Sequence, residues 1–119
     1  MKQGYGIFRS TDGTIYKGFW HEGKKNGEGQ LYMKSEKYLG EWKSDMKHGN
    51  GKYVFKNNEY YEGQWFEGKR EGKGIYYWTT GEVYEGEWNN DTMNGEGFFI
   101  FLDGKKLAAK FHNNVRVLE

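Results

Sequence analysis

The chain contains the stretch Tyr61-Glu62-Gly63-Gln64-Trp65-Phe66-Glu67-Gly68-Lys69-Arg70-Glu71-Gly72-Lys73-Gly74, and almost all of the remaining sequence repeats it at a fixed offset. We number the repeat from its tyrosine, so that Tyr61 holds position 1 and Trp65 holds position 5. The copies of Tyr-x-Gly-x-Trp begin 22 or 23 residues apart, at Tyr16, Tyr38, Tyr61 and Tyr84. A period of this length is typical of repeat proteins, in which one small structural unit stacks on the next.

The glycines follow the same frame. All 19 of them fall at position 3, position 8, positions 12 and 14, or in the turn that precedes the next tyrosine. Where position 8 is not glycine it is Asp45, Asp91 or Asn114. Aspartate and asparagine tolerate a left-handed backbone better than other non-glycine residues do. Position 8 is therefore predicted to be a turn.

The segments between turns alternate with a period of two, which indicates β-strands. There is no proline, and pairs such as Asp12-Gly13 and Asp103-Gly104 are typical of tight hairpin turns. The sequence predicts an all-β protein, an elongated, twisted antiparallel meander of about ten short strands. At about 4.8 Å between strands, this sheet would be roughly 45 Å across.

The repeat frame predicts a single array. We expect a half repeat over residues 1–15, full repeats over residues 16–37, 38–60, 61–83 and 84–106, and a degenerate half repeat over residues 107–119. In the last segment Leu107, Ala109 and Phe111 replace tyrosine, glycine and tryptophan, as expected for a terminal repeat. Because the chain begins and ends within a repeat, it is expected either to be a fragment of a longer protein or to be capped by another subunit.

The aromatic rings are predicted to lie on the glycines. Side chains alternate across a strand, so positions 1, 3 and 5 share a face with positions 12, 14 and 16 of the returning strand. Glycine weakens a strand interior. The sheet is therefore expected to form only if the tyrosine and tryptophan rings are buried over the glycine backbone.

Composition argues against several classes of protein. The net charge is +1, so no overall field favours nucleic acid. The chain has no cysteine and no apolar run near the roughly 20 residues needed to span a bilayer. Residues 1–10 lack the apolar segment of a signal peptide. We expect a soluble, cytoplasmic protein.

The usual signatures of catalysis are missing. The Gly-x-Gly pairs never continue into Gly-x-Gly-x-x-Gly, Gly-Lys-Ser or Gly-Lys-Thr, so no phosphate-binding loop is predicted. His21, His48 and His112 fall in predicted turns or termini without zinc-type spacing. We expect no catalytic residue, no metal and no cofactor.

The pattern Tyr-x-Gly-x-Trp, followed by Gly-Lys-Lys/Arg-x-Gly-x-Gly, resembles the MORN (membrane occupation and recognition nexus) repeat. The resemblance covers nearly the whole chain and departs from the pattern at Asp91-Thr92-Met93 and over residues 107–111. It implies a twisted sheet of β-hairpins. It also implies an interaction module of cytoskeletal or ciliary assemblies, membrane junctions or membrane-associated scaffolds.

The first functional hypothesis is a protein-protein interaction scaffold. Its aromatic sheet surface would bind a helix or an extended segment of another protein. More aromatic and apolar residues are present than one thin layer can bury, among them Phe19, Phe66, Trp78, Phe98 and Ile100. The central binding surface is predicted to consist of Tyr38, Trp42, Tyr61, Trp65 and Trp78.

The alternative is a peripheral membrane module that binds phosphoinositides. The predicted turns carry basic residues that stacking would align along one sheet edge, and each would contribute about 1 kcal/mol near an anionic surface. These residues are Lys24, Lys25, Lys47, Lys69 and Arg70. Depending on the hypothesis, the protein would be cytoskeleton- or cilium-associated or peripheral to a membrane.

Two further expectations concern the excess of rings and the exposed strand edge. A secreted protein with aromatic cages for sugar or choline would also be rich in rings, but the missing secretion signal argues against it. The exposed edge strand over residues 4–8 would allow edge-to-edge association or a homodimer.

Overall fold

The computed structural model describes residues 1–117, which form one antiparallel sheet of eleven strands in chain order. The strands are β1 (Gly4–Arg9), β2 (Ile15–His21), β3 (Lys24–Tyr32), β4 (Lys37–Lys43), β5 (Met46–Val54), β6 (Tyr60–Phe66), β7 (Lys69–Tyr77), β8 (Val83–Asn89), β9 (Thr92–Ile100), β10 (Lys106–His112) and β11 (Val115–Arg116).

The predicted all-β meander is confirmed, with one strand more than the ten expected. The additional strand is β11, whose two residues pair with Phe111 and His112. The longest dimension is 53 Å. Residues 118–119 of the predicted terminal half repeat lie outside the described residues.

The returning strands begin earlier than the sequence suggests. They were predicted to start at position 12, but β5 already begins at Met46, directly after a two-residue turn. Both turn residues, Ser44 and Asp45, have positive φ, at 48° and 70°, as a type I′ hairpin turn requires. The left-handed turn predicted at position 8 is thus confirmed, and it includes position 7.

A bulge at position 12 accommodates the longer strand. Between β4 and β5 the pairing passes from Gly40–Gly51 to Trp42–Lys47, so β5 has more residues than β4 between these two pairs. Gly49 lies in this bulge with φ at +70°. Positions 9 to 11, which include the basic residues, therefore belong to strands and not to turns.

The core consists of one layer of interlocked rings. Tyr38 and Tyr61 have no solvent exposure, and Trp42 and Trp65 are 6% exposed. The Tyr38 ring makes edge-to-face contacts with Trp42 and Trp65, at centroid distances of 4.9 and 5.5 Å. Edge-to-face packing is the geometry that aromatic pairs prefer. The prediction that rings are buried over glycines is confirmed.

The polar atoms of these rings are satisfied by the backbone. The Tyr38 hydroxyl donates to the carbonyl of Glu41 at 2.8 Å, and Trp65 Nε1 donates to the carbonyl of Gly51 at 3.0 Å. Within residues 1–117, every buried side-chain nitrogen and oxygen has a hydrogen-bond partner. The ring layer is consequently both apolar and held in a fixed orientation.

Candidate functional site

The aromatic face, as we call the sheet face that bears Tyr16, Tyr38, Tyr61 and Tyr84, has two tiers of side chains. The lower tier is the buried tyrosine and tryptophan layer. The upper tier is half-buried and contains Trp20, Leu31, Tyr53, Phe55, Tyr76, Trp78, Met93 and Phe99. All strands of residues 1–117 belong to the same sheet, so no second layer covers this tier.

The structure places four of the five residues predicted to bind a partner in the lower tier. Tyr38 and Tyr61 present no side-chain surface, and Trp42 and Trp65 present very little. Their assignment to an exposed surface is therefore corrected: they form the floor under it. Trp78 lies in the upper tier, where a partner could touch it. Partner binding itself stays a prediction.

The upper tier forms a continuous row of rings. Phe55 contacts Tyr76 at a centroid distance of 5.7 Å, Tyr76 contacts Trp78 at 5.0 Å, and Trp78 stacks on Phe99 at 5.7 Å. Phe55 and Trp78 directly follow β5 and β7, and Phe99 lies in β9, so the row runs along the length of the sheet. Sequence reasoning placed these positions on the inner face but did not select Phe55, Tyr76 or Phe99 as site residues. Their recurrence at positions 16 and 18 was the available signal.

Cationic side chains at position 10 lie over the rings. Lys47 Nζ is 5.1, 5.2 and 5.9 Å from the ring centroids of Tyr53, Trp65 and Tyr38. The Arg70 guanidinium carbon is 4.8 Å from the Trp88 ring. Cations within about 6 Å of a ring face are attracted by its quadrupole. The aromatic face therefore combines apolar rings with a row of positive charges.

The five residues of the membrane hypothesis lie at the start of β3, β5 and β7, beside the hairpin turns, but they do not share one face of the sheet. They lie in strands and alternate: Lys25, Lys47 and Arg70 contact rings of the aromatic face, whereas Lys24 and Lys69 are exposed at the preceding position. The physical reason is the early start of the strands, since neighbouring residues of a strand point to opposite faces.

Several of these charges also have partners within the protein. Lys25 Nζ lies 3.6 Å from Asp45, and Arg70 Nε lies 3.2 Å from Asp91. Lys69 Nζ donates to Asn90 at 2.8 Å. Partial neutralisation weakens the field available to an anionic membrane. Lipid binding stays a prediction.

A pocket opens in the aromatic face beyond the last of the ring-contacting cations Lys25, Lys47 and Arg70, which we call the cation row. In the fourth full repeat Met93 holds position 10 in place of lysine or arginine. Beside it lies a cavity of about 160 Å³, which we call the Trp78 pocket. It is lined by Tyr76, Trp78, Trp88 and Met93, with Arg70 and Asp91 among its polar groups.

The opposite face carries the remaining excess of rings. Phe19, Phe66 and Phe98 are 47%, 51% and 47% exposed, which confirms that one layer cannot bury them, whereas Ile100 is half-buried. Each of the three phenylalanines belongs to a different repeat. This face offers ring pairs, such as Tyr5 with Phe19 and Tyr60 with Tyr77, and not a continuous row.

The histidines were expected in turns or termini but lie within strands or at strand ends. His48 is inside β5, while His21 and His112 end β2 and β10. Residues 1–117 contain no group of three histidine or carboxylate side chains placed to hold a metal ion. The described part of the chain also contains no helix long and apolar enough to cross a membrane.

Comparison with known families agrees with the repeat frame. A family model of the MORN repeat matches residues 1–15, 16–35, 38–60, 61–83 and 84–106. The matches have the predicted boundaries, except that the second ends at residue 35 and not at residue 37. They account for most of the sequence and coincide with the hairpins of the sheet. The chain belongs to the MORN-repeat family.

Proposed function

We propose that this chain is a non-enzymatic protein-interaction scaffold whose aromatic face binds a helix or an extended segment of a partner protein. The family to which it belongs is commonly one of protein- or membrane-interaction modules. We further propose that the chain acts in the cytoplasm as a subunit or module of a cytoskeletal, ciliary or membrane-associated assembly.

The observation that supports this proposal is the upper tier of half-buried rings. Phe55, Tyr76, Trp78 and Phe99 form an uncovered row on a buried floor of interlocked rings. Aromatic side chains contribute strongly to protein interfaces. Because the floor holds them in place before binding, little conformational entropy would be lost when a partner docks.

The choice of face follows from the distribution of rings. The aromatic face offers adjacent rings with cations among them, so that one segment could contact several at once. On the opposite face, the most exposed phenylalanines lie in separate repeats. A contiguous apolar patch is the feature that marks an interaction site.

The test compares the two faces. Phe55→Ser and Trp78→Ser alter the upper tier, while Phe66→Ser and Phe98→Ser on the opposite face serve as matched controls. Each variant is used as bait in quantitative affinity purification from ciliated cells, after circular dichroism has shown that it is folded. We expect partners to be lost with the first pair and retained with the second. Partners lost equally with both pairs would contradict the proposal.

The membrane alternative is tested on the same protein. We expect no salt-resistant co-sedimentation with phosphoinositide-containing liposomes. The control variant reverses the charges of Lys24 and Lys69, the two exposed residues of the set, because Lys25 and Arg70 pair with Asp45 and Asp91. Binding that survives physiological salt and vanishes in this variant would favour the membrane module over the scaffold.

A further inference from the structure

One lysine of the cation row lacks the carboxylate that its neighbours have. Lys25 and Arg70 each lie beside an aspartate at position 8 of the following repeat, Asp45 and Asp91. Lys47 lies between them in sequence, and the corresponding residue opposite it is Gly68. The sheet contacts are otherwise the same. Gly68 N donates to the Lys47 carbonyl at 2.9 Å, as Asp45 N donates to that of Lys25 at 3.0 Å.

Lys47 is half-buried as well as unpaired. No carboxylate oxygen of residues 1–117 lies within 4.0 Å of its Nζ, and Glu36, at the end of the preceding repeat, instead accepts hydrogen bonds from Tyr53 and Lys56. Burial lowers the pKa of Lys47. Ring faces attract the cation but do not neutralise it. A partly desolvated charge of this kind favours a counter-ion from outside.

The same position in the first half repeat provides a comparison. Lys2 also lies opposite a glycine, Gly23, whose N–H donates to the Lys2 carbonyl. Lys2 is exposed to water, however, and so has less to gain from a counter-ion. Lys47 is the position-10 cation of the described chain that is both half-buried and without a carboxylate.

The Trp78 pocket supplies a second point of recognition on the same face. Lys47 lies on β5, and Trp88 of the pocket lies three strands further on, in β8. Three strand spacings correspond to about 14 Å. A partner that lies along the sheet could therefore contact both points with one short segment.

We propose that the aromatic face binds a partner segment that places an aspartate or glutamate on Lys47 and a bulky apolar side chain in the Trp78 pocket. This inference rests on the proposed function and specifies the chemistry of the partner. The two side chains would be about four residues apart in an extended segment and about nine apart in a helix.

A protein carboxylate fits this site better than a membrane surface does. The site has a single unpaired cation recessed among rings, with an apolar pocket beside it. Binding to anionic lipid needs several exposed cations that reach one surface together. The neighbouring Lys25 and Arg70 already have carboxylate partners.

The experiment uses a displayed library of random peptides of about 16 residues, long enough to span both points in either conformation. The library is selected against the full chain and against Gly68→Asp. This variant places a carboxylate opposite Lys47, as Asp45 and Asp91 do for the neighbouring repeats. It should fold, because Asp45 adopts the same left-handed backbone and a Cβ at Gly68 would meet no atom within 4 Å.

Gly68→Asn is the matched control, since Asn114 holds this position in the last repeat and carries no charge. We expect peptides selected on the wild-type chain to share an acidic residue and a bulky apolar residue at one separation. Their affinity should fall about tenfold in Gly68→Asp and in Lys47→Gln. It should change little in Gly68→Asn and in Lys52→Gln, which alters the opposite face of the same strand.

The outcomes separate this inference from the proposed function. Peptides that lack an acidic preference and bind Gly68→Asp normally, but are weakened by Trp78→Ser, would overturn the inference and leave the scaffold in place. Failure to enrich any peptide, or enrichment of peptides that Trp78→Ser does not weaken, would overturn both. If the peptides showed no acidic preference and phosphoinositide vesicles competed with them for Lys47, the inference would be overturned and lipid, not a protein carboxylate, would be the ligand.

Discussion

The ring of Tyr38 occupies the space above Gly51 in which any other residue would place its Cβ. The same relationship joins each position-1 tyrosine to the position-14 glycine of its own hairpin, for Tyr16 with Gly29, Tyr61 with Gly74, and Tyr84 with Gly97. The tyrosine is buried only because the glycine has no side chain. The two residues therefore act as one unit, repeated along the sheet.

This relationship predicts a large effect of Gly51→Ala. The added methyl group would overlap the Tyr38 ring, and we expect the free energy of unfolding to fall by about 2 to 3 kcal/mol. Gly6 is the control, since it holds the same repeat position and its Cβ would meet only Trp20, at 3.7 Å. Gly6→Ala should change stability by less than about 1 kcal/mol. Urea denaturation measures both, and equal losses would show that ring overlap is not the cause.

A second prediction concerns position 4, where side chains accept hydrogen bonds from the bulge. Glu41 accepts from Asn50 N at 2.6 Å, and Gln64 accepts from Lys73 N at 2.8 Å. Phe19 holds this position in the first full repeat and offers no acceptor. We expect Phe19→Gln to raise the free energy of unfolding by about 0.5 to 1 kcal/mol and Gln64→Leu to lower it similarly. Thermal and urea unfolding of both variants test this. No rise in stability for Phe19→Gln together with no fall for Gln64→Leu would contradict the prediction.

The third prediction is cooperative unfolding in alkali. Burial raises the pKa of Tyr16 and of Tyr76 to about 12, and it raises the pKa of Tyr38 and Tyr61 as well. The unfolded chain ionises its tyrosines near pH 10. The stability gained from neutral tyrosines is thus fully present below about pH 10 and is lost as pH rises toward the folded pKa values.

We therefore expect the buried tyrosines to ionise together with the loss of the sheet. Tyrosinate absorbance and far-ultraviolet circular dichroism, followed in one titration, measure the two events. Coincident transitions above about pH 10 are the expected result. Ionisation of most tyrosines while the sheet stays intact would show that burial does not control their pKa values.

Much of the fold could be predicted because the same residue types recur at the same positions of each repeat. Tyrosine, glycine and tryptophan at positions 1, 3 and 5 define a face, and Asp45 at position 8 indicates a turn. The bulge could not be predicted, because Gly49 and Gly51 look alike in sequence although only Gly49 has positive φ. Residue type does not reveal which glycine packs under a ring and which one turns the chain.

The sequence also could not show how deeply each ring is buried. Tyr38 and Trp78 are both large inner-face aromatics, but only Tyr38 lies over a glycine and sinks below the surface. The direction of Lys47 was missed for a different reason. Because positions 9 to 11 were assigned to a turn, strand alternation was not applied to them. Extending the strand back to Met46 places Lys47 on the same face as the rings.

The last prediction tests whether Lys47 reduces the stability of the fold. Met93 holds the same repeat position and packs against the core without a charge. Burial lowers the pKa of Lys47, so the charged form opposes folding at neutral pH. We expect Lys47→Met to raise the free energy of unfolding by about 0.5 to 2 kcal/mol. Lys52→Met, on the opposite face of the same strand, should give no comparable gain.

The pH dependence of the difference in unfolding free energy between Lys47→Met and the wild-type chain shows whether the lysine charge causes it. The folded chain binds the lysine proton less tightly than the unfolded chain does, so wild-type stability gains from Lys47 as pH rises through its folded pKa toward about 10. The advantage of Lys47→Met should therefore narrow with rising pH in urea denaturation, and tyrosine ionisation cancels in the difference because both chains carry the same tyrosines. Destabilisation by this substitution would show that the ring contacts outweigh the desolvation of the charge. A gain in the free energy of unfolding that narrows with pH would show that Lys47 makes the fold less stable than methionine does at this position. Such a loss of stability is expected of a residue that serves binding.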